Sequence, residues 1–193
     1  KVVDVNIKDR NIDSKEFIFP ENCPVCGSSA ERELNEYTGK ISSVRRCTGG
    51  LYCNSQILGS LEFFVSRDAM NIEGFGGKSM ELFFNSGFVK EPGDIYTLQL
   101  RQSRDEIDIL SLEGWGELSM NNLFQSINDR RSVSLDKFIY SLGIRHIGIN
   151  NAKLVSQQLT SVENLLSTIG KISHDPDDAL QAFIQNDGLG KVV

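Results

Sequence analysis

The sequence predicts a mainly α-helical chain led by a small cysteine-clamped element. Three observations carry that expectation. All four cysteines fall in two close pairs near the N-terminal end, Cys23/Cys26 and Cys47/Cys53. After Cys53, apolar residues recur at helical spacing in short pieces. A glycine-containing pattern of five residues also returns along the helical part, at close to regular intervals.

Taken in order, Val2, Val3, Val5 and Ile7 partly alternate with polar residues, as a half-buried strand does. "DRNIDSK" reads as a turn, and "EFIFP" as a short strand leading into the first cysteine pair. Cys23-Pro-Val-Cys26-Gly is a knuckle: two thiols two residues apart turn tightly enough to face one ion. Cys47-Thr-Gly-Gly-Leu-Tyr-Cys53 has two glycines to bend the backbone between its thiols. Four sulfurs suit a closed, tetrahedral, structural Zn²⁺ and leave no open position for catalysis. The other readings are two disulfides, disfavoured because nothing marks the chain as secreted, and unligated buried thiols, favoured still less. The twenty mostly polar residues between the pairs are expected to form a protruding hairpin.

Ile57, Leu58, Leu61, Phe64 and Val65 then predict a helix with Asn54 or Ser55 as its N-cap. Further helices are expected over 79–86, stopped by Gly87, and in "EPGDIYTL" after a turn. Others are expected over 117–128, 135–142, 149–159 and 162–168. Asp175-Pro176 opens a last one ending near Asn186, while "KISHDPDD" reads as a surface loop and His174 as an ordinary residue within it.

The recurring pattern is apolar, variable, Gly, apolar, Gly, then a helix. Its copies are Ile72-Glu73-Gly74-Phe75-Gly76 and Leu112-Glu113-Gly114-Trp115-Gly116. A third is Ile144-Arg145-His146-Ile147-Gly148, with His146 in place of the first glycine. The fourth, Asn186-Asp187-Gly188-Leu189-Gly190, stands where the chain stops as its helix should begin. Gly76 to Gly148 is 72 residues and Gly116 to Gly190 is 74, which suggests a duplicated unit with two motifs per copy. The glycines permit left-handed backbone and close approach. The helix that follows aims its first N–H groups and positive dipole end at whatever lies over the bend. That is an anion site suited to a phosphate oxygen. Phe75, Trp115, Ile147 and Leu189 are expected to tuck under their hairpins and lock them. A lone copy would be read as a tight turn or a helix-packing glycine; four matched copies favour sequence-independent contact with a sugar–phosphate backbone.

Composition limits the electrostatic part of that contact. The 193 residues carry a net charge of −6, and the pI is about 5.0. Nucleic-acid binders usually show a basic excess, so such binding must lean on backbone amides. Cations near the hairpins are Lys78, Arg130, Arg131, Arg145, Lys153 and Lys191. A hydrophobic share of 39% and a charged share of 24% are ordinary for a soluble globular protein. No apolar run reaches bilayer-spanning length and no secretory signal is present, so no membrane partner is expected. The chain begins at Lys1 without an initiator Met and ends on "GLGKVV", so both ends are expected to be internal to a longer protein. No paired carboxylates, nucleophile–base set or P-loop stands out as catalytic.

"FIFPENCPVCGS", "RRCTGGLYC", "FVSRDAMNIEGFGGKS", "LEGWGELSMNNL" and "SLGIRHIG" occur here in one order. That order resembles the C-terminal half of bacterial NAD-dependent DNA ligases over nearly the whole chain. The resemblance implies the end of an oligonucleotide-binding (OB) fold over 1–19, a remnant β-strand. It implies a four-cysteine zinc finger over 20–56, with Cys23, Cys26, Cys47 and Cys53 on Zn²⁺. A helix–hairpin–helix domain over 57–193 would follow, with hairpins near 72–78, 112–118, 144–150 and 186–192. It implies DNA contacts at Gly74, Gly76, Lys78, Gly114, Gly116, Arg145, His146, Gly148, Lys153, Gly188 and Gly190.

In such enzymes an N-terminal lysine is adenylated from NAD, AMP passes to the 5′-phosphate of a nick, and the 3′-hydroxyl displaces it. The lysine motif Lys-x-Asp-Gly is absent here, so this chain alone is expected to be inactive. NAD and Mg²⁺ would be bound outside it. The implied partners are nicked double-stranded DNA and the adenylation and OB domains of the same chain, in a monomer in the bacterial cytosol. The cysteine-pair spacing is longer than the family usually shows, Leu118 stands where lysine is common, and Asn54 replaces a usual proline. The rival readings are a non-enzymatic repair or recombination module with the same hairpins, and a zinc-ribbon protein adaptor.

Overall fold

The structure is a computed structural model and describes residues 4, 6–35 and 38–174. It is mainly helical, and the chain divides into two compact units, Lys1–Asn54 and Ser55–Val193. In the first unit, the strands among the described residues are β1 (Ala30–Leu34) and β2 (Ile41–Cys47), paired antiparallel. This is the hairpin expected between the cysteine pairs. Its register sets Ala30 opposite Cys47, Glu31 opposite Arg46 and Arg32 opposite Arg45. The end of β2 therefore delivers Cys47 back toward the first knuckle.

The expected N-terminal strand is not found among the described residues. Val2, Val3 and Val5 lie outside them, and Ile7 opens a 3-10 turn, Ile7–Asp9, capped by the Asn6 side chain. Residues 16–20 form no ladder either, and Phe17, Ile18 and Phe19 are exposed. A strand needs a neighbour to take its N–H and C=O groups, and no described residue pairs with this one.

The second unit holds α1 (Asn54–Val65), α2 (Gly77–Asn85), α3 (Pro92–Ser103) and α4 (Glu117–Asp129). It continues with α5 (Leu135–Ser141), α6 (Ile149–Leu159) and α7 (Val162–His174). Local chemistry sets the ends. Gly87, at φ +77°, closes α2: its N–H bonds Phe84 O, and the next N–H, of Phe88, bonds Phe83 O at 2.9 Å. Pro92 opens α3 at its first position, where Asp94 Oδ2 accepts from the N–H groups of Lys90 and Glu91.

Two helices are longer than their sequence pattern suggests. "EPGDIYTL" begins a 12-residue helix, and α7 runs on to His174, so Lys171–His174 is helix where a loop was expected. In α7 the apolar spacing continues through Ile169 and Ile172. The expected last helix, from Asp175 to Asn186, lies outside the described residues.

Two apolar clusters organise this unit. The larger centres on Phe83, fully buried between Phe75, Phe88 and Trp115, with ring centroids 5.1, 6.1 and 4.8 Å away. Phe75 and Trp115 are the middle residues of the first two glycine hairpins, so one core ring locks both. The smaller cluster gathers Ile139, Ala152, Val155 and Leu159, with Ile147 of the third hairpin packed on it. Phe63 of α1, between Leu61 and Phe64 of the larger cluster, stacks edge-on against Tyr140 of the smaller at 5.3 Å. Among the described residues no helix is long and apolar enough to cross a membrane.

Phe83→Ala is expected to cost about 3–5 kcal/mol, because it leaves a cavity at the point where both hairpins are anchored. Urea unfolding of the variant against the parent measures it.

Candidate metal centre and nucleic-acid interface

The sulfurs of Cys23, Cys26, Cys47 and Cys53 all lie within 4.8 Å of one another. Two approaches run between the pairs, Cys26 to Cys47 at 3.4 Å and Cys23 to Cys53 at 4.0 Å. All four are free thiols in this arrangement, not two disulfides. A tetrahedral ion with about 2.3 Å bonds to sulfur sets its ligands about 3.8 Å apart, so this spacing fits such an ion. The four donors are all thiols, the set a d¹⁰ ion such as zinc favours.

The surrounding backbone prepares those sulfurs. Gly27, at φ +75°, turns the first knuckle so that its N–H returns to Cys23 O at 2.9 Å. Donors around the sulfurs favour thiolate. The Ser28 hydroxyl, then the Ser28 amide, pulls the Cys26 thiol down from 9.0 to about 6. The amides of Cys26 and Val25 lower the Cys23 thiol. Gly49 N–H donates to Cys47 Sγ at 3.2 Å. Gly49 is buried, and a Cβ there would stand 2.9 Å from Cys26 Sγ and 3.2 Å from Cys47 Sγ. Ser28, which the sequence does not single out, and Gly49, legible there only as a backbone bend, thus belong to the centre. The only sequence cue was their place beside ligand cysteines.

In the second unit the three described hairpins share one backbone form. Their third residue is left-handed: Gly74 at φ +97°, Gly114 at +79° and His146 at +65°. The fourth residue turns inward, Phe75 buried and Trp115 and Ile147 half-buried. The fifth, Gly76, Gly116 or Gly148, is extended, and the helix starts at the next residue. The first helical bonds match: Met80, Met120 and Ala152 donate to the carbonyls of Gly76, Gly116 and Gly148, at 2.9, 3.0 and 2.9 Å. The amides of the three residues between have no acceptor within the helix, and the three fifth-position glycines are exposed.

The first two hairpins share a cleft of about 600 Å³, lined by Gly74, Ser79, Gly114, Ser119, Asn122 and Arg130 among others. They are tied together there, since the Glu73 amide donates to Ser126 Oγ at 2.7 Å and Gly74 lies against Leu123. The cations named from the sequence divide into two groups. Lys78, Arg145 and Lys153 are exposed, as is His146. Arg130 instead donates through Nε to Asn71 O, and Arg131 through Nη2 to Tyr96 O. Both brace the unit through backbone carbonyls, Arg130 half-buried at the cleft and Arg131 at the surface. Leu118 is 76% exposed at the helical position that Lys78 holds after the first hairpin and Asn150 after the third. Gly188, Gly190 and Lys191 lie outside the described residues.

Proteins of known identity match this chain from end to end. It is 42% identical over 187 residues to a DNA ligase of Parvibaculum lavamentivorans, covering 97% of this chain and 26% of that protein. DNA ligases of Sinorhizobium medicae and Xanthobacter autotrophicus are 40% and 42% identical, over 100% of this chain and 28% of each protein. The chain is homologous to one part of the DNA ligases. It spans little more than a quarter of the length of these relatives. No family model matches it.

Zinc is expected at about one equivalent per chain by metal analysis, and chelation should unfold the first unit while leaving the helical circular-dichroism signal largely intact. Gly49→Ala should weaken zinc retention against a competing chelator, since its backbone is unstrained but its Cβ crowds two sulfurs. Equal retention would show that the cage can give way.

Proposed function

We propose that this chain is the zinc-finger and helix–hairpin–helix portion of an NAD-dependent DNA ligase, gripping duplex DNA around a nick through its backbone phosphates. The observation that carries the reading is the threefold hairpin. Exposed helix starts recur at Gly76, Gly116 and Gly148 with one backbone form, in a chain homologous throughout to DNA ligases. Amides at a helix start bind a phosphate oxygen without a cation, which suits a chain of net charge −6.

In this reading Gly76, Gly116 and Gly148 admit the phosphate by lacking a side chain, with Gly188 and Gly190 opening a fourth site. Gly74, Gly114 and His146 hold the bend. Lys78, Arg145 and Lys153 add charge beside it. Such contacts position a duplex and carry no base code. Zn²⁺, held by Cys23, Cys26, Cys47 and Cys53, supplies a structural cross-link. The finger joins an OB fold ending near residue 19 to the hairpin domain beginning near residue 57. The adenylated lysine, NAD and Mg²⁺ belong to other domains of the same protein, a cytosolic monomer. This portion alone seals no nick.

Gly76→Val and Gly116→Val test the reading. A Cβ at either position meets nothing within 4 Å, so both variants should keep the parent melting temperature. Each should lose about tenfold in affinity for a nicked duplex, the scale of a hydrogen bond to a charged group. Unchanged affinity in both would remove the amide–phosphate contact. Binding should weaken from low to high salt, but with a shallow slope.

A further inference from the structure

The longer stretch between the cysteine pairs has no role in the reading above, yet it builds β1 and β2. On one face of that hairpin Arg32 and Arg45 stand directly opposite each other. Like charges so placed repel. Both line a groove of about 590 Å³, with Asn22, Ser29 and the carboxylate residues Glu21 and Glu31. Arg45 donates through Nη1 to Ala30 O at 3.0 Å, but its Nε–H is shut off from solvent and has no acceptor. Neither arginine is among the ion pairs of the described residues. Glu31 instead accepts from the Ser29 hydroxyl at 3.1 Å.

We propose that this groove holds one phosphodiester of a DNA backbone between Arg32 and Arg45. A tetrahedral anion answers the facing arginines directly, since its oxygens bridge two guanidinium groups, and a small rotation of the Arg45 side chain brings the orphaned Nε–H out to the same anion. The carboxylates of Glu21 and Glu31 leave the groove close to neutral overall. It therefore favours the single charge of a diester over the higher charge of free phosphate. The inference rests on the duplex-binding reading of the hairpins, because a duplex supplies the diester.

The test is a salt titration of binding to an intact, mixed-sequence duplex by the full chain and its Arg32→Gln and Arg45→Gln variants. Zinc content and melting temperature are followed in each. Arg32 is exposed and makes no side-chain hydrogen bond or ion pair among the described residues, so its variant isolates the phosphate contact from folding. The slope of log affinity against log salt should become shallower by about 1 in each variant, and Arg32→Lys should restore most of it. The duplex should shift the Arg45 Nε–H resonance, and millimolar inorganic phosphate should leave it in place. Unchanged slopes with zinc retained, or a resonance moved equally by free phosphate, would overturn the proposal. Gly76→Val and Gly116→Val run in parallel separate the two readings. If they lose affinity while the arginine variants do not, only the finger contact fails. If they lose none, the hairpin reading fails first.

Discussion

A chain that reverses in five residues and then enters a helix has little choice of backbone. Its third residue must be left-handed, as Gly74, Gly114 and His146 are. That bend swings the fourth residue under the turn, where Phe75, Trp115 and Ile147 meet the apolar clusters. It leaves the fifth residue extended and the helix start in the open. Core and surface are therefore two ends of one constraint: the side chain that anchors the hairpin is the reason its amides face outward. His146 shows that the geometry outranks the residue type. It accepts a conformation that disfavours side chains, and Asn151 braces it by donating to its carbonyl at 2.8 Å.

The first unit solves a different problem. Its described part has one two-stranded ladder and few buried residues, Gly49 and Cys53 among them. A pair of strands is marginal by itself in water, and a segment of this size rarely builds an adequate core. Four sulfurs gathered within 4.8 Å put a cross-link where a core would be. The hydroxyl of Ser28 and the amides around the first knuckle move the Cys23 and Cys26 thiols toward thiolate, the form a metal binds. The missing side chain of Gly49 leaves them room.

Charge is the least expected part of the arrangement. In the proposed duplex-binding reading, Glu73, Glu113 and Glu117 sit in or beside the hairpins and oppose an approaching phosphate, while Arg130 and Arg131 are already engaged with backbone carbonyls. On that proposal, net attraction falls to helix-start amides and a few exposed cations. Such an interface relies on fit more than on long-range field, and it gains little from counterion release. At the first turn after each hairpin the exposed residue differs: Lys78, Leu118 and Asn150. One backbone device thus carries three surface chemistries.

The sequence by itself determined the elements whose signals are local. Cysteine spacing marked the clamp, apolar periodicity the helices, and Gly87 and Pro92 two of their ends. The Gly-x-Gly copies marked the hairpins, because a left-handed residue leaves its trace in residue type. It missed whatever depends on a neighbour distant in the chain. "EFIFP" has the composition of a strand, but strand structure requires a partner. Lys171–His174 looks like loop, but it continues α7 where the apolar spacing runs on. Arg130 and Arg131 read as cations near a ligand, and only packing engaged their guanidinium groups with the Asn71 and Tyr96 carbonyls. Gly49 looked like one more flexible glycine until β2 brought two sulfurs against it. Tertiary structure decided which donors, charges and apolar faces are already satisfied within the protein and which are left for something else, since that depends on distances in space that the order of residues does not carry.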